Sequence, residues 1–428
     1  MYTNTGLTFR RLTGTAILLT GLIAGMFAGL SLTAQAAGHE TDFCATLDDD
    51  TCQLLTDSQA VMESLTSVSN ELTVQVEVSN IPEVPFEAIA FELYQTSSYV
   101  MTEDAMAAQD ELDSLLHSDN ASVEDVFALS MNMALGMNED SEMYLAVSDD
   151  VITLIEMAAE EEGEPLPFEL PNEFGLGVRI VDGAVYYNLG ALGDLVPGVR
   201  ILGDLWFGVE FGDSMDMLIE AIMEDPDFDD IDPNLLGMMM GNASMGGIAS
   251  GPMVAALAQS PITAAAIPFL IVERLEDDEI EGRATAVVRT TVDYAMLLAD
   301  PTIQDLLAGL MAEEGMSDAE VEEILGIAQL FGPTVLETLG LEAYEYVDIE
   351  TGLHLGGEMV LNWDVSELGP LLAMAGAGDA LEGEELPVVA MYASMGYGNY
   401  DAEMNITEPE TGIVFSFEEL MMLAEMAE

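Results

Sequence analysis

The chain has 428 residues, with 80 Asp or Glu against 7 Arg and no Lys, and a formal charge of −73 at pH 7. So acidic a surface repels phosphate backbones, which excludes nucleic acid as a partner. Half of the residues are hydrophobic, so the chain has enough core-forming material to fold. The carboxylate excess fits a solvated shell suited to a saline exterior; a dedicated cation store is the rival reading.

Residues 1–36 carry Arg10 and Arg11, then an apolar run, then Ala34, Gln35 and Ala36. That order reads as a secretory signal cut after Ala36. An uncleaved anchor helix is the alternative, because the run is nearly long enough to span a bilayer. On the signal reading, five cations face eighty carboxylates, a formal −75, and the protein is exported to the periplasm, cell surface or exterior. The export route, Sec or twin-arginine, stays open: the Arg pair is there, but Leu12, Thr13 and Gly14 lack the hydrophobic pair that usually follows it. In the segment 37–69, Cys44 and Cys52 are spaced for a small disulfide loop of an oxidising compartment. The "TDFC" ending at Cys44 lacks the residues expected before a lipid-attachment cysteine.

From Asn70 onward strands dominate. Leu72, Val74, Val76 and Val78 alternate with Thr73, Gln75 and Glu77, a half-buried strand. "VFALSMNMALGM" places Phe127, Leu129, Met131, Met133, Leu135 and Met137 at alternate positions, which predicts a second strand. Acidic helical material is expected around residues 101–165. In "GVRIVDGAVYYNLG", Asp182 and Gly183 suit a two-residue turn with left-handed backbone. Such a turn pairs Val181 with Ala184, Ile180 with Val185, Arg179 with Tyr186 and Val178 with Tyr187. Val178, Ile180, Val185 and Tyr187 then share an apolar face, with Arg179 and Tyr186 on the other. "DLWFGVEF" adds a strand, and further strand blocks cover 271–294, 342–365 and 388–409. Asp300 and Pro301 open a helix carrying Ile303, Leu306, Leu307 and Leu310. Ser317 and Glu320 form a capping box for a helix that Gly332 and Pro333 should stop. Ser416 and Glu419 repeat the box before a C-terminal helix in 410–428. The uncharged segment from Leu235 to Val272 reads as buried helices covering the sheet, with a membrane span or a lid as rivals.

Catalytic signatures are missing. His39, His117 and His354 stand alone, and there is no GxSxG, phosphate-binding glycine loop or HExxH. No enzyme and no cofactor is expected. Asp225, Asp227 and Asp229 are spaced like the start of a calcium loop, but Asp230 replaces its glycine and Leu236 its final Glu, so an acidic turn is the better reading. The 29 methionines, which could bind Cu(I), read as core.

The strand blocks "GVRIVDGAVYYNLG", "ERLEDDEIEGRATAVVRTTVDY", "YEYVDIETGLHLGGEMVLNWD" and "YASMGYGNYDAEMNITEP" resemble, in order, those of the LppX/LprG-type exported bacterial lipoproteins, relatives of the LolA-like lipid carriers. The likeness spans roughly Leu72 to Pro409, and the family's lipid-attachment cysteine is absent. It implies an α+β domain over 70–409: a curved antiparallel half-barrel with helices on its concave apolar face, binding a lipid or acyl chain between the two. Phe127, Leu129, Met131 and Met133, with Val178, Ile180, Val185 and Tyr187, would line that cavity. Peripheral association with the cell envelope fits the same picture. The alternative is an acidic structural or adhesive surface protein in which these residues fill an ordinary core.

Overall fold

In the computed structural model, residues 47–80, 86, 88–116, 122–162, 170–188, 205–210, 269–301, 318–368 and 386–416 are described, with 303, 304, 307, 308, 311 and 419. Helix α1 (Asp49–Glu63) starts where the Asp48 carboxylate accepts from the Thr51 amide at 2.9 Å and from its hydroxyl at 2.7 Å. This cap satisfies a backbone donor that the first helical turn would leave unpaired. Strands β1 (Ser67–Ser79) and β2 (Ala88–Met101) follow, then a helical hairpin of α2 (Glu103–Leu116) and α3 (Val123–Gly136). Next come β3 (Met137–Val147), α4 (Asp149–Glu162), β4 (Glu173–Val181), β5 (Ala184–Asn188) and β6 (Trp206–Glu210). Strands β7 (Leu270–Arg274), β8 (Asp278–Ile280) and β9 (Arg283–Val292) precede helices α5 (Tyr294–Ala299) and α6 (Asp318–Glu337). Strands β10 (Glu342–Asp348), β11 (His354–Asp364), β12 (Val388–Gly398) and β13 (Gly412–Ser416) complete the order.

All thirteen strands join one open, curved sheet in the order β13-β6-β5-β4-β3-β2-β1-β12-β11-β10-β9-β7, with β8 beside β9. The class is α+β. Pairing is antiparallel throughout except for β6 and β13, so the sheet is mixed at that edge. The cross-strand registers put one residue in two from each strand on a common inner face. Three helical elements cover it at separate places: Leu55 of α1 over Val272, Val288 and Val347, Leu135 of α3 over Val178 and Ile180, and Leu297 of α5 against Leu270 and Val292.

The expected β4–β5 hairpin has the register derived above: Val181 faces Ala184, Ile180 faces Val185, Arg179 faces Tyr186 and Val178 faces Tyr187. Asp182 and Gly183 hold φ of 49° and 80°, the left-handed pair this turn requires. Strand β1 also alternates as expected, with Leu72 and Val74 each 1% exposed.

Five expectations need correction. Residues 127–136 are helix α3, not a strand. The Ser122 hydroxyl accepts from the Asp125 amide at 3.1 Å and donates to its carboxylate, and Ala, Leu and Met are strong helix formers. Helix α6 runs through Pro333 to Glu337, because Leu336 beyond it packs with Leu297 and Ile303. Gly332 lies close against α5, and a Cβ there would oblige the end of the Leu298 side chain to move. The Tyr186 face of the hairpin is not a wet surface, since Val181, Ala184 and Tyr186 are buried with Trp206 and Ile406 against them. The interval 410–428 does not open as a helix: Gly412–Ser416 is β13, and the Ser416–Glu419 box follows it, with mutual bonds of 3.1 and 3.2 Å. The edge pairing of β13 with β6 is parallel where an all-antiparallel sheet was expected. Residues 1–46, including Cys44, the acidic stretch with Asp225, Asp227 and Asp229, and most of the uncharged segment lie outside the described residues.

Candidate functional site

Five apolar residues form one rung across the middle of the sheet. Val147 on β3 pairs with Phe91 on β2, Phe91 with Val76 on β1, Val76 with Met391 on β12, and Met391 with Leu361 on β11. At about 4.8 Å between strands, the rung is about 19 Å across. A cleft of about 620 Å³ is lined by these five residues and their chain neighbours, which falls within the roughly 300–1,000 Å³ of small-molecule sites. Gln75, Glu77, Glu92, Asn362 and Tyr392, also at its edge, are one residue off the rung, so their side chains lie on the opposite face of the sheet. Gln75 donates to Glu92 at 3.1 Å. Ser148 is tied down, its hydroxyl accepting from Ala90 and Val151 at the start of α4.

Toward the other end of the same strands the inner face turns polar. The Gln95 amide donates to the Ser97 and Ser141 hydroxyls at 3.0 and 3.1 Å, and those hydroxyls lie 3.2 Å apart. Asn70 and Glu139 are buried next to this network. On the neighbouring strands Glu345 and His354 meet at 3.2 Å, in ion-pair contact but out of line for a hydrogen bond. Burial pushes the Glu345 carboxyl above its ordinary range, and His354 offsets part of that. The Tyr397 ring centre sits 5.3 Å from that of His354, and Tyr400 donates to the His354 carbonyl at 2.6 Å. Burial also raises the Tyr397 and Tyr99 hydroxyls.

The residues expected to line a cavity divide into two groups. Val178, Ile180 and Val185 are 3%, 0% and 4% exposed and sit in one filled cluster with Leu135 and Leu176. Phe127 and Met133 are buried on α3, whereas Leu129 and Met131 are half-buried there. Tyr187 shares the inner face by register and is exposed. None of the eight lines the cleft. Of the cleft rung only Val76 stood in an expected apolar face; Phe91 and Val147 lie where no strand was foreseen. A clean alternation over 88–93, with Ile89, Phe91 and Leu93 on one side, was the signal available for β2.

The described arginines are all engaged. Arg179 bonds Asp140 at 2.7 Å and stacks over Trp206; Arg274 bonds Asp277, Arg283 approaches Asp348, and Arg289 bridges Glu273 and Glu342. Among the described residues no helix is long and apolar enough to cross a membrane.

No protein-family model matches the sequence, and no curated protein matches it. Among solved structures it is similar to LprF from Mycobacterium bovis, at 13% identity over 85% of this chain and 98% of that chain, with a TM-score of 0.29. It is similar to the lipoprotein LppX from Mycobacterium tuberculosis, at 8% identity over 84% of this chain and 100% of that chain, with a TM-score of 0.22. A DUF1329 family protein from Desulfovibrio piger is similar at 7% identity over 84% and 96% of the two chains, with a TM-score of 0.17.

Proposed function

We propose that this chain is an exported, non-enzymatic binding protein that holds a lipid or other hydrophobic ligand against the middle of its sheet. The observation that carries the reading is the cleft lined by Val76, Phe91, Val147, Leu361 and Met391. A concave, mostly apolar site with a few polar groups at its border is what a long-chain ligand requires. The same reading includes a cleaved leader over 1–36, a Cys44–Cys52 bridge, a binding domain over 70–409 and peripheral contact with the cell envelope.

A second reading has its own support. Of the hairpin residues first expected to line a cavity, Val178, Ile180 and Val185 sit in a filled cluster, and Val181, Ala184 and Tyr186 fill another on the opposite face, as a purely structural acidic surface protein would have them. Binding of a fluorescent acyl probe, in salt that keeps the protein folded, decides between the two. Saturable binding is expected, and Val76→Trp should weaken it at least tenfold by filling the cleft above the rung, while Leu330→Asp, 71% exposed on α6, should not. Native protein that carries no extractable lipid and binds no probe would leave the structural reading standing.

A further inference from the structure

The connection between β12 and β13 has a feature that ligand binding does not use. Residues 399–411 contain neither helix nor strand, and they take the chain from the middle of the sheet past β1 to the far edge, where β13 pairs with β6. The Asp401 carboxylate accepts from the Thr66 amide at 2.8 Å, the Ser67 hydroxyl donates to the Ala402 carbonyl at 2.8 Å, and Arg179 donates to the Thr407 carbonyl at 3.2 Å. Between these ties exposure alternates: Asp401, Glu403, Asn405 and Thr407 are exposed, and Ala402, Met404 and Ile406 are half-buried. That is the two-residue period of an extended chain. Ile406 packs on Val181, Ala184 and Tyr186, the outer face of the hairpin, so Asn405 and Thr407 point together into solvent, away from the sheet. Other asparagines are tied down: Asn138 accepts from the Asp182 amide, Asn172 donates to Asp149 and Asn399 donates to Ser69. Among the described residues neither the Asn405 carboxamide nor the Thr407 hydroxyl has a hydrogen-bond partner.

We propose that Asn405 is an N-glycosylation site, with an oligosaccharide carried on a polyprenyl phosphate or diphosphate as the donor. Asn-x-Ser/Thr with x other than Pro is the acceptor signal for such a glycan on an exported protein, and Asn405, Ile406 and Thr407 match it. In the transfer the Asn405 Nδ2 forms a bond to the anomeric carbon of the first sugar. The bond from that carbon to the phosphate oxygen breaks, the lipid phosphate leaves with the electron pair, and one amide proton passes to a base of the transferase. The whole triplet is at the surface of the folded chain, so the transferase reaches it without unfolding and the glycan displaces no packed group. Two further triplets exist: Asn120 and Asn242 lie outside the described residues, and Ser122 of the first is already used as the cap of α3. The glycan at Asn405 leaves the cleft free, since the strap lies on the face opposite the apolar rung. The inference rests on the export part of the proposed function and not on the binding part.

The test uses the full chain made in its own host. Cells are fractionated to locate the protein, and the peptide that contains Asn405 is analysed by tandem mass spectrometry. A mass increment of whole sugar residues on Asn405 is expected in the exported protein. Asn405→Gln and Thr407→Ala, made in the same host, should each lose that increment completely, whereas Thr407→Ser, which restores the hydroxyl, should keep it. Exported protein whose Asn405 peptide has only its unmodified mass overturns the site and leaves the binding reading intact. An increment on this peptide that survives Thr407→Ala overturns it as well, because the attachment would then not depend on the triplet. Protein found only in the cytoplasm is a failure of the export reading, and takes the site with it.

Discussion

The β4–β5 hairpin and the middle of the sheet rest on the same two-residue alternation, yet one is solid and the other is hollow. At the hairpin, α3 presses Leu135 onto Val178, Ile180 and Val185, and on the opposite side Trp206 and Ile406 close over Val181, Ala184 and Tyr186. In the middle, Val76, Phe91, Val147 and Met391 are only half-buried and border a cleft. Alternation determines which side chains face inward. Whether the inward face becomes a core or a floor depends on the element laid over it, and that element comes from a distant part of the chain.

The contrast breaks most directly by truncation. Ile180→Ala should cost about 2–5 kcal/mol, the range for emptying a filled site. Val76→Ala removes less packing and should cost under about 1.5 kcal/mol, while weakening probe binding. Urea denaturation of both variants in molar NaCl measures the difference. Equal costs would mean that the cleft is filled in solution.

Salt should act on the whole molecule and unevenly. Eighty carboxylates cannot be neutralised by seven arginines, so like charges oppose compaction. The Debye length falls from about 30 Å at 0.01 M to about 3 Å at 1 M. Melting temperature should therefore rise by several degrees over that range. Glu77 and Glu92 are exposed on β1 and β2, whereas Asp140 beside the hairpin is neutralised by Arg179. Amide exchange in β1 and β2 should slow more with salt than exchange in β4 and β5. Uniform slowing would mean that local pairing does not distinguish the two regions, and a constant melting temperature would remove the saline-shell reading altogether.

Much of this was legible before the structure, and the failures have physical causes. The hairpin register followed from Asp182 and Gly183, because a two-residue turn leaves no freedom in the pairing. The Ser416–Glu419 box was likewise readable from two residues. Helix α3 was misread because Ala128, Ser130, Asn132 and Ala134 between the large apolar residues suit either period; the decisive signal was Ser122 with Asp125, a cap at its start. Strand β3 was hidden because Glu139 and Ser141 face inward among buried groups, so polarity there does not mark the wet side. The cleft was out of reach for a different reason: its rung unites residues 76, 91, 147, 361 and 391, and no local pattern tells an inward side chain whether a helix will rest on it.

Two turns sharpen the comparison at a smaller scale. Gly183 between β4 and β5 and Gly282 between β8 and β9 have φ of 80° and 82°, and a Cβ at either meets nothing within 4 Å. Replacing either by Ala should cost only the backbone penalty, about 1–2 kcal/mol. The cost should be the same at both, although the first hairpin is buried on both faces and β8 is mostly exposed. A much larger loss at Gly183, measured by thermal unfolding, would mean that the buried hairpin cannot absorb even a slight turn adjustment.

The smallest expected effect lies in the polar patch beside the cleft. Burial raises the Glu345 carboxyl, with His354 at 3.2 Å opposing that shift less strongly. A folded-state carboxyl with a raised pKa keeps its proton where the unfolded chain, near about 4.3, has lost it. Its favourable contribution is thus complete below the unfolded value and is lost as pH climbs through the folded one. Glu345→Gln mimics the protonated form and does not titrate, so its stability relative to the parent should grow with pH above about 4 and then level off. Urea midpoints from pH 4 to 8 in molar NaCl give the profile. A relative stability that falls with rising pH would show that pairing with His354 on the facing strand outweighs desolvation. The patch would then be a stabilising ion pair rather than a buried acid that the fold tolerates.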